Sequence, residues 1–327
     1  MTIGWGIVST GRHPDQKVVP AMRVSATSRL SAVCSQDMGR AETFAQRHEI
    51  DTAYNSLETM IRDPNVDAVY ICSPNALHAQ HVKIAATAGK HVLVEKPMAV
   101  NTGQAKMMIQ ICAKYGVKLG VGFHLRYHPG HQKVRTLLSK QILGKISLAR
   151  AQWAMGVRGR IGPPPRSDQS IWWDDPKMTG GASTLMGTGV HMIDLMHFFF
   201  EQRIIEVSAM TDGQNSSQIL EQLAVVSLRF QDGTIASITC GRRVPDTIND
   251  AIIYGSQGRI RLTETLWEAE GGDLEVCSET VNVRESYPAT DIGMYLRQIE
   301  AFNDAIHQNN PFHASGVDGA QTVLVTE

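Results

Sequence analysis

The chain has no excess of either charge: 31 Lys and Arg face 32 Asp and Glu, a formal net charge of -1. Nucleic acids and anionic membrane surfaces bind proteins with a basic excess, so neither is an expected partner. No run reaches the roughly 18 consecutive apolar residues of a membrane span. The N-terminus also lacks a basic segment followed by an apolar one with a cleavage site, so secretion and membrane insertion are not expected. The five cysteines are odd in number and include no CxxC pair, which argues for reduced thiols and a cytoplasmic location. The histidines show no metal-ligand spacing, and no metal is expected. There is no internal repeat and no low-complexity segment. What remains is 327 residues, 43% hydrophobic and 19% charged, enough for a soluble protein of two domains.

The first 124 residues alternate short apolar runs with helical patterns. Residues 3–8 (IGWGIV), 30–35, 66–74, 90–97 and 117–124 read as strands, near-continuously apolar as a parallel sheet covered on both faces requires. Between them lie helical segments, one ending at Gly89 and another running from a capping Asn101 to Gly116. Repeated strand–helix units predict a doubly wound α/β sheet, a Rossmann domain over residues 1–124.

From residue 125 onward the texture changes. A helix and a strand precede a long polar loop, GVRGRIGPPPRSDQSIWWDDPKMTGG, of the length that is usually functional or disordered. The helix STLMGTGVHMIDLMHFFF follows, then strands RIIEVSAM, AVVSLRF, TIASITC, DAIIYG and RIRL, and YLRQIEAFNDAIHQ as a closing helix. Residues 125–327 therefore read as an α+β domain on an open, mostly antiparallel sheet.

A dinucleotide fold places glycines after its first strand, so that backbone N–H groups hold a pyrophosphate. Here the turn is Ser9-Thr10-Gly11-Arg12-His13-Pro14, which departs from GxGxxG at the first and third glycines. At the end of the second strand, a carboxylate would select NAD. Ser35 and Gln36 stand there, with Arg40 at the start of the next helix, which favours NADP over NAD. Asp37 argues the other way. In HVLVEKPMAV, Glu95 and Lys96 stand at a strand's carboxyl end, where a parallel sheet places its ligands, and a cis Lys96–Pro97 bond is one way to fix the turn.

CSPNALHAQHV, AGKHVLVEKPMAV, GFHLRYHP and GTGVHMID, in that order and spacing, resemble the Gfo/Idh/MocA family of nicotinamide-dependent sugar and polyol oxidoreductases. The likeness extends over nearly the whole chain. The turn at Ser9 and the Ser35…Arg40 pair are similar to the NADPH-dependent anhydrofructose reductase branch. The resemblance implies a carbohydrate-like substrate, Lys96 beside the reacting oxygen, and His191 as general acid/base with it. It also implies that Asp194, Glu95, His124 and Arg166 bind substrate. Ser9, Thr10, Gly11, Arg12, Ser35, Gln36, Arg40, Ser73, Pro74, Asn75 and His78, with Glu95 and Lys96, are then expected to line the cofactor.

The family helix reads D-x-x-x-H-x-x-D, and here Gly187 holds the first position. Asp174 or Asp175 is a candidate replacement, and Arg158, Arg160 or Arg166 for an arginine displaced by Trp172-Trp173. A non-catalytic cofactor sensor of the same fold is the alternative reading. His128 is expected near the site, and Arg126 either there or bracing the domain junction. The mostly antiparallel sheet can leave one apolar face uncovered, and the resemblance implies that this face pairs with a second copy, giving a homodimer or homotetramer.

Overall fold

The computed structural model describes residues 2–159, 166–213 and 219–327. Strands β1 (Ile3–Val8), β2 (Ser28–Cys34), β3 (Thr52–Tyr54), β4 (Ala68–Ile71), β5 (His91–Val94) and β6 (Leu119–Val121) form one parallel sheet in the order β3-β2-β1-β4-β5-β6. This is the doubly wound arrangement expected, with its switch point between β1 and β4. β1 and β4 are buried along their whole length, because helices cover both faces.

The helix caps follow from the sequence. The Asn101 side chain accepts from the Gln104 amide and starts Thr102–Lys114, while Gly116 beyond its end has φ +66°. Gly89, past His78–Thr87, has φ +75°.

Eight strands build the second sheet: β7 (Ile146–Ala154), β8 (Ile204–Thr211), β9 (Leu223–Phe230), β10 (Ile235–Gly241), β11 (Asp250–Gly255), β12 (Gly258–Thr263), β13 (Glu270–Ser278) and β14 (Asn282–Thr290). Their order is β14-β13-β12-β11-β7-β10-β9-β8, and only β7 and β10 pair in parallel. β9 alternates buried and exposed residues, as a sheet packed on one face must. The buried helix Val190–Phe200 packs beneath β7 and β10.

The chain does not end in the second sheet. Helix Gly293–His307 returns to the first domain, where Asn303 accepts from the Trp5 indole and donates to Thr27 and Ser28. A further helix, Gly316–Thr326, with a Ser315/Asp318 capping box, packs against Thr102–Lys114 and β6. Among the described residues no helix is long and apolar enough to cross a membrane.

Candidate active site

The site is built at the carboxyl end of β5. Chain direction there is fixed by parallel pairing with β4 and β6, and the Lys96–Pro97 peptide is cis. Glu95 is buried beneath the floor. Its Oε1 lies 3.0 Å from His13 Nε2 and accepts from the Tyr70 hydroxyl, and it packs so close to Gly122 that a Cβ there would stand 2.6 Å away. Burial raises the Glu95 carboxyl, but His13, Lys96 and Tyr70 outweigh it and bring it down to about 2. Glu95 is therefore an anion held under Lys96, and it keeps the ammonium from being an isolated buried charge.

Lys96 Nζ donates 3.0 Å to the carbonyl of Gly187. Burial pulls its pKa down against Glu95 and Glu268, and Arg242 adds to the lowering. Residues Leu185–Gly189 form a wide helical turn that leads into Val190–Phe200. Glu221 holds the start of this turn by accepting from the amides of Ser183 and Leu185.

One turn beyond Gly187, the His191 ring stacks on Trp153 at 5.3 Å and meets the edge of His124 at 4.6 Å. His124 in turn stacks on Tyr295 at 4.8 Å. Burial is the first cause that lowers both imidazoles, helped by Lys96, and His124 falls to about 4. Both rings are neutral near pH 7. The buried Nδ1 of His191 has no partner among the described residues.

The fold brings Lys96, His191, His124 and Glu95 together. Other expected site residues stand elsewhere. Asp194 is engaged in a buried bidentate ion pair with Arg126, and Arg126 also reaches Asp318 and the His313 carbonyl. Burial explains this: an unpaired carboxylate inside the fold is costly, and the Arg126 guanidinium takes both of its oxygens. His78 is fully buried with its ring between the carbonyls of Ser73 and Pro97, to one of which the neutral imidazole donates, so it sits between the ends of β4 and β5. The Asn75 side chain donates to the Thr179 carbonyl, and Ser73 Oγ pairs with His81. His128 is spent on the Gly130 amide and the Gly271 carbonyl. Asp174 pairs with Arg166, and Asp175 caps the short helix Pro176–Thr179, so neither stands in for a carboxylate at position 187. Arg158 pairs with Asp246 at the surface, and Arg160 lies outside the described residues.

A cleft of about 500 Å³ opens beside the ends of β1 and β2, lined by Thr10, Gly11, Arg12, Asp37, Arg40 and Arg47. Ser9, at the first glycine position of the motif, has φ +108°, so the glycine-like backbone is present without the glycine. Its hydroxyl accepts from the Gly11 amide. These features fit a dinucleotide: an open cleft beside a Rossmann first turn, with guanidinium groups lining it. Asp37 accepts from the Arg40 amide through Oδ1 as a helix cap. Ser35 is buried at the β2 end and accepts from the Asp37 amide; Gln36 is exposed.

Three contributors carry no sequence signal. His13 reaches Glu95 only because the first turn folds back over β5. Desolvation raises Glu268, but His13, Lys96, His124 and Arg12 hold its carboxyl below the usual range. Arg242 lies just past β10, with its Nη2 3.5 Å from where a Cβ on Gly187 would stand.

Comparisons with known proteins agree with this architecture. Residues 3–123 match a model of an oxidoreductase family with an NAD-binding Rossmann fold, and residues 131–261 match the GFO/IDH/MocA C-terminal domain. Mouse trans-1,2-dihydrobenzene-1,2-diol dehydrogenase is 30% identical over 271 residues, covering 82% of this chain and 76% of that protein. An uncharacterized oxidoreductase of Bacillus subtilis is 26% identical over 334 residues, covering 97% and 90%. Among solved structures, aldose-aldose oxidoreductase from Caulobacter crescentus, complexed with glycerol, superposes with a TM-score of 0.88 at 21% identity, covering 100% of this chain and 96% of that one. A 3-ketoreductase from Actinomadura kijaniata, in complex with NADP and TDP-benzene, gives 0.83 at 22% identity, with the same coverage.

Proposed function

The chain belongs to the Gfo/Idh/MocA family of NAD(P)-dependent oxidoreductases, and from that premise we propose that it interconverts a secondary alcohol and a carbonyl on a sugar-like molecule, with Lys96 and His191 sharing the proton work. The observation that carries this reading is the Lys96 Nζ–Gly187 carbonyl contact of 3.0 Å, which sets the amine one helical turn from His191. Nicotinamide, when bound, supplies or accepts the hydride. In the oxidative direction, the substrate oxygen replaces the Gly187 carbonyl as the acceptor of a Lys96 hydrogen bond. His191, kept neutral by burial, takes the alcohol proton as the carbonyl forms, and returns it in the reductive direction. Glu95 holds Lys96 in place from below, and His124 walls the site between His191 and Tyr295.

NADP is the preferred cofactor in this reading, because Arg40 has no side-chain partner among the described residues and stands in the cleft with Arg12 and Arg47. Five free cysteines support a cytoplasmic setting. The outward sheet face places Leu148 beside Ile235 and Tyr254, all exposed, and a second copy of the chain is the occupant this reading gives it. A screen of polyols, ketoses and inososes with NADP(H) and NAD(H) tests the reading; absence of cofactor oxidation or reduction with every compound would contradict it.

A further inference from the structure

Beside the Lys96–Gly187 contact stands a cationic wall that neither the proton chemistry nor the cofactor cleft uses. Gly187 is not among the residues with positive φ, and a Cβ there would meet nothing closer than Arg242 Nη2 at 3.5 Å. The backbone does not require glycine here. What glycine leaves is space for a small group, bounded by a guanidinium.

Arg166, from the preceding loop, stands beside Arg242. Both guanidiniums lie against one indole, Trp173, at 5.8 Å for Arg166 and 6.0 Å for Arg242. The buried Nε of Arg242 and the buried Nη2 of Arg166 have no partner among the described residues. A guanidinium offers five donors in a fixed fork, and leaving buried ones unmade is costly. Burial first, then repulsion from Arg166, brings Arg242 down to about 10.

The neighbouring acids do not fill the gap. Asp174 is bonded to Arg166 Nε at 2.7 Å, Glu221 is turned to the amides of Ser183 and Leu185, and Glu268, held low chiefly by His13 and Lys96, makes no ion pair with Arg242. Among the described residues Arg242 has no ion pair.

We propose that Arg166 and Arg242 hold a carboxylate of the substrate in the space beside Gly187, so that the protein acts on sugar acids such as aldonates or uronates in preference to neutral polyols. This rests on the oxidoreductase reading and narrows its substrate class. The space is the one a side-chain carboxylate on residue 187 would enter, which suits a planar acid and its two-oxygen match to a guanidinium fork better than a bulkier phosphate. Lys96 holds the carbonyl of the same residue, so an anion in this space lies on the same side of the site as the reacting oxygen.

The test pairs each acid with its neutral counterpart, D-gluconate with D-glucitol and D-galacturonate with D-galactose, and adds D-glucose 6-phosphate, all with the full chain and NADP+. The expected result is a higher kcat/KM for the acids. Arg242→Met should lower the acid-to-neutral ratio by about 10- to 100-fold, mainly through KM, with partial recovery in Arg242→Lys. Arg166→Met serves as a second variant if Arg242→Met fails to fold. Equal kcat/KM within each pair, a preference for the phosphate ester, or a ratio unmoved by both variants would overturn the proposal. Calorimetry on the NADP+-bound protein separates the two readings. Acid binding that depends on Arg242, without cofactor reduction, supports the subsite and contradicts the oxidoreductase. Turnover of neutral polyols with no binding of either acid contradicts the subsite alone.

Discussion

Arg126 and Asp194 form a bidentate ion pair, with Nε–Oδ2 at 2.8 Å and Nη2–Oδ1 at 2.7 Å, and both side chains are almost wholly buried. Arg126 follows the end of β6, Asp194 sits on the helix of His191, and the further partners Asp318 and the His313 carbonyl belong to the C-terminal segment. Three separate stretches of chain meet at one guanidinium. Removing one partner of such a pair strands a buried charge, so Asp194→Asn should cost about 3 to 5 kcal/mol in unfolding free energy. Denaturant titration checks this. A variant as stable as the wild type, but with a raised KM, would show instead that Asp194 contacts substrate.

Cofactor choice should follow Arg40. Asp37 Oδ1 caps the helix by accepting from the Arg40 amide, and the Arg40 guanidinium lines the cleft with no side-chain partner among the described residues. NADPH should bind more tightly than NADH, and Arg40→Ala should weaken NADPH selectively by about 1 to 3 kcal/mol. Calorimetry giving equal affinities for the two cofactors would refute this.

Acid should destabilise the fold early. Of the 12 histidines, His78, His81, His91, His124, His128, His131, His191 and His197 are all lowered, first by burial. A histidine with a lowered native pKa binds its proton in the unfolded chain first, near 6.5, and in the folded one only later, about 4 for His81 and His124. Between those values the unfolded state holds more protons, so stability falls as pH falls, by about 1.4 kcal/mol per pH unit for each proton of difference. Unfolding free energies flat from pH 7 to pH 4.5 would contradict the buried neutral rings.

The outer sheet face should hold two copies together. Leu148, Ile235 and Tyr254 are adjacent across β7, β10 and β11 and exposed by 43%, 40% and 38%. Light scattering should report a dimer or tetramer at micromolar concentration, and Leu148→Glu should shift it toward monomer. A wild-type monomer would remove this element of the account.

Gly187→Asp places a side-chain carboxylate where the substrate's is proposed to sit. The nearest heavy atom, Arg242 Nη2, is at ordinary contact distance, so the variant should fold. Its carboxylate should pair with Arg242 and lower kcat/KM for sugar acids more than for neutral polyols. Improved turnover of acids would contradict that placement.

Much of this was legible in the sequence because the signals were local. Apolar runs marked β1, β2, β4, β5 and β6, and alternation marked β7 to β12. The three-residue β3 was too short to register. β13 and β14 were missed because charges and glycines in EGGDLEVCS and NVRESYPAT obscure the alternation. The helix Gly316–Thr326 was missed because Gly316 and Gly319 lower its propensity. Both are packed so close to Leu119, and to Met98 and Val121, that a Cβ would collide, a requirement visible only in three dimensions. In the site, Lys96 and His191 stand in motifs. His13, Arg242 and Glu268 reach it through chain reversals that no spacing records. Asp194 shows the converse: a motif residue whose carboxylate was claimed by a distant arginine.

The central claim is that Lys96 acts on the reacting oxygen with His191, and single-turnover kinetics of Lys96→Met with saturating NADP(H) test it most directly. The account predicts that NADPH affinity stays nearly unchanged while the hydride-transfer rate falls by about 10²- to 10⁴-fold, the range for a lost general acid/base group. A near-wild-type rate, or a loss traced wholly to weaker cofactor binding, would contradict it.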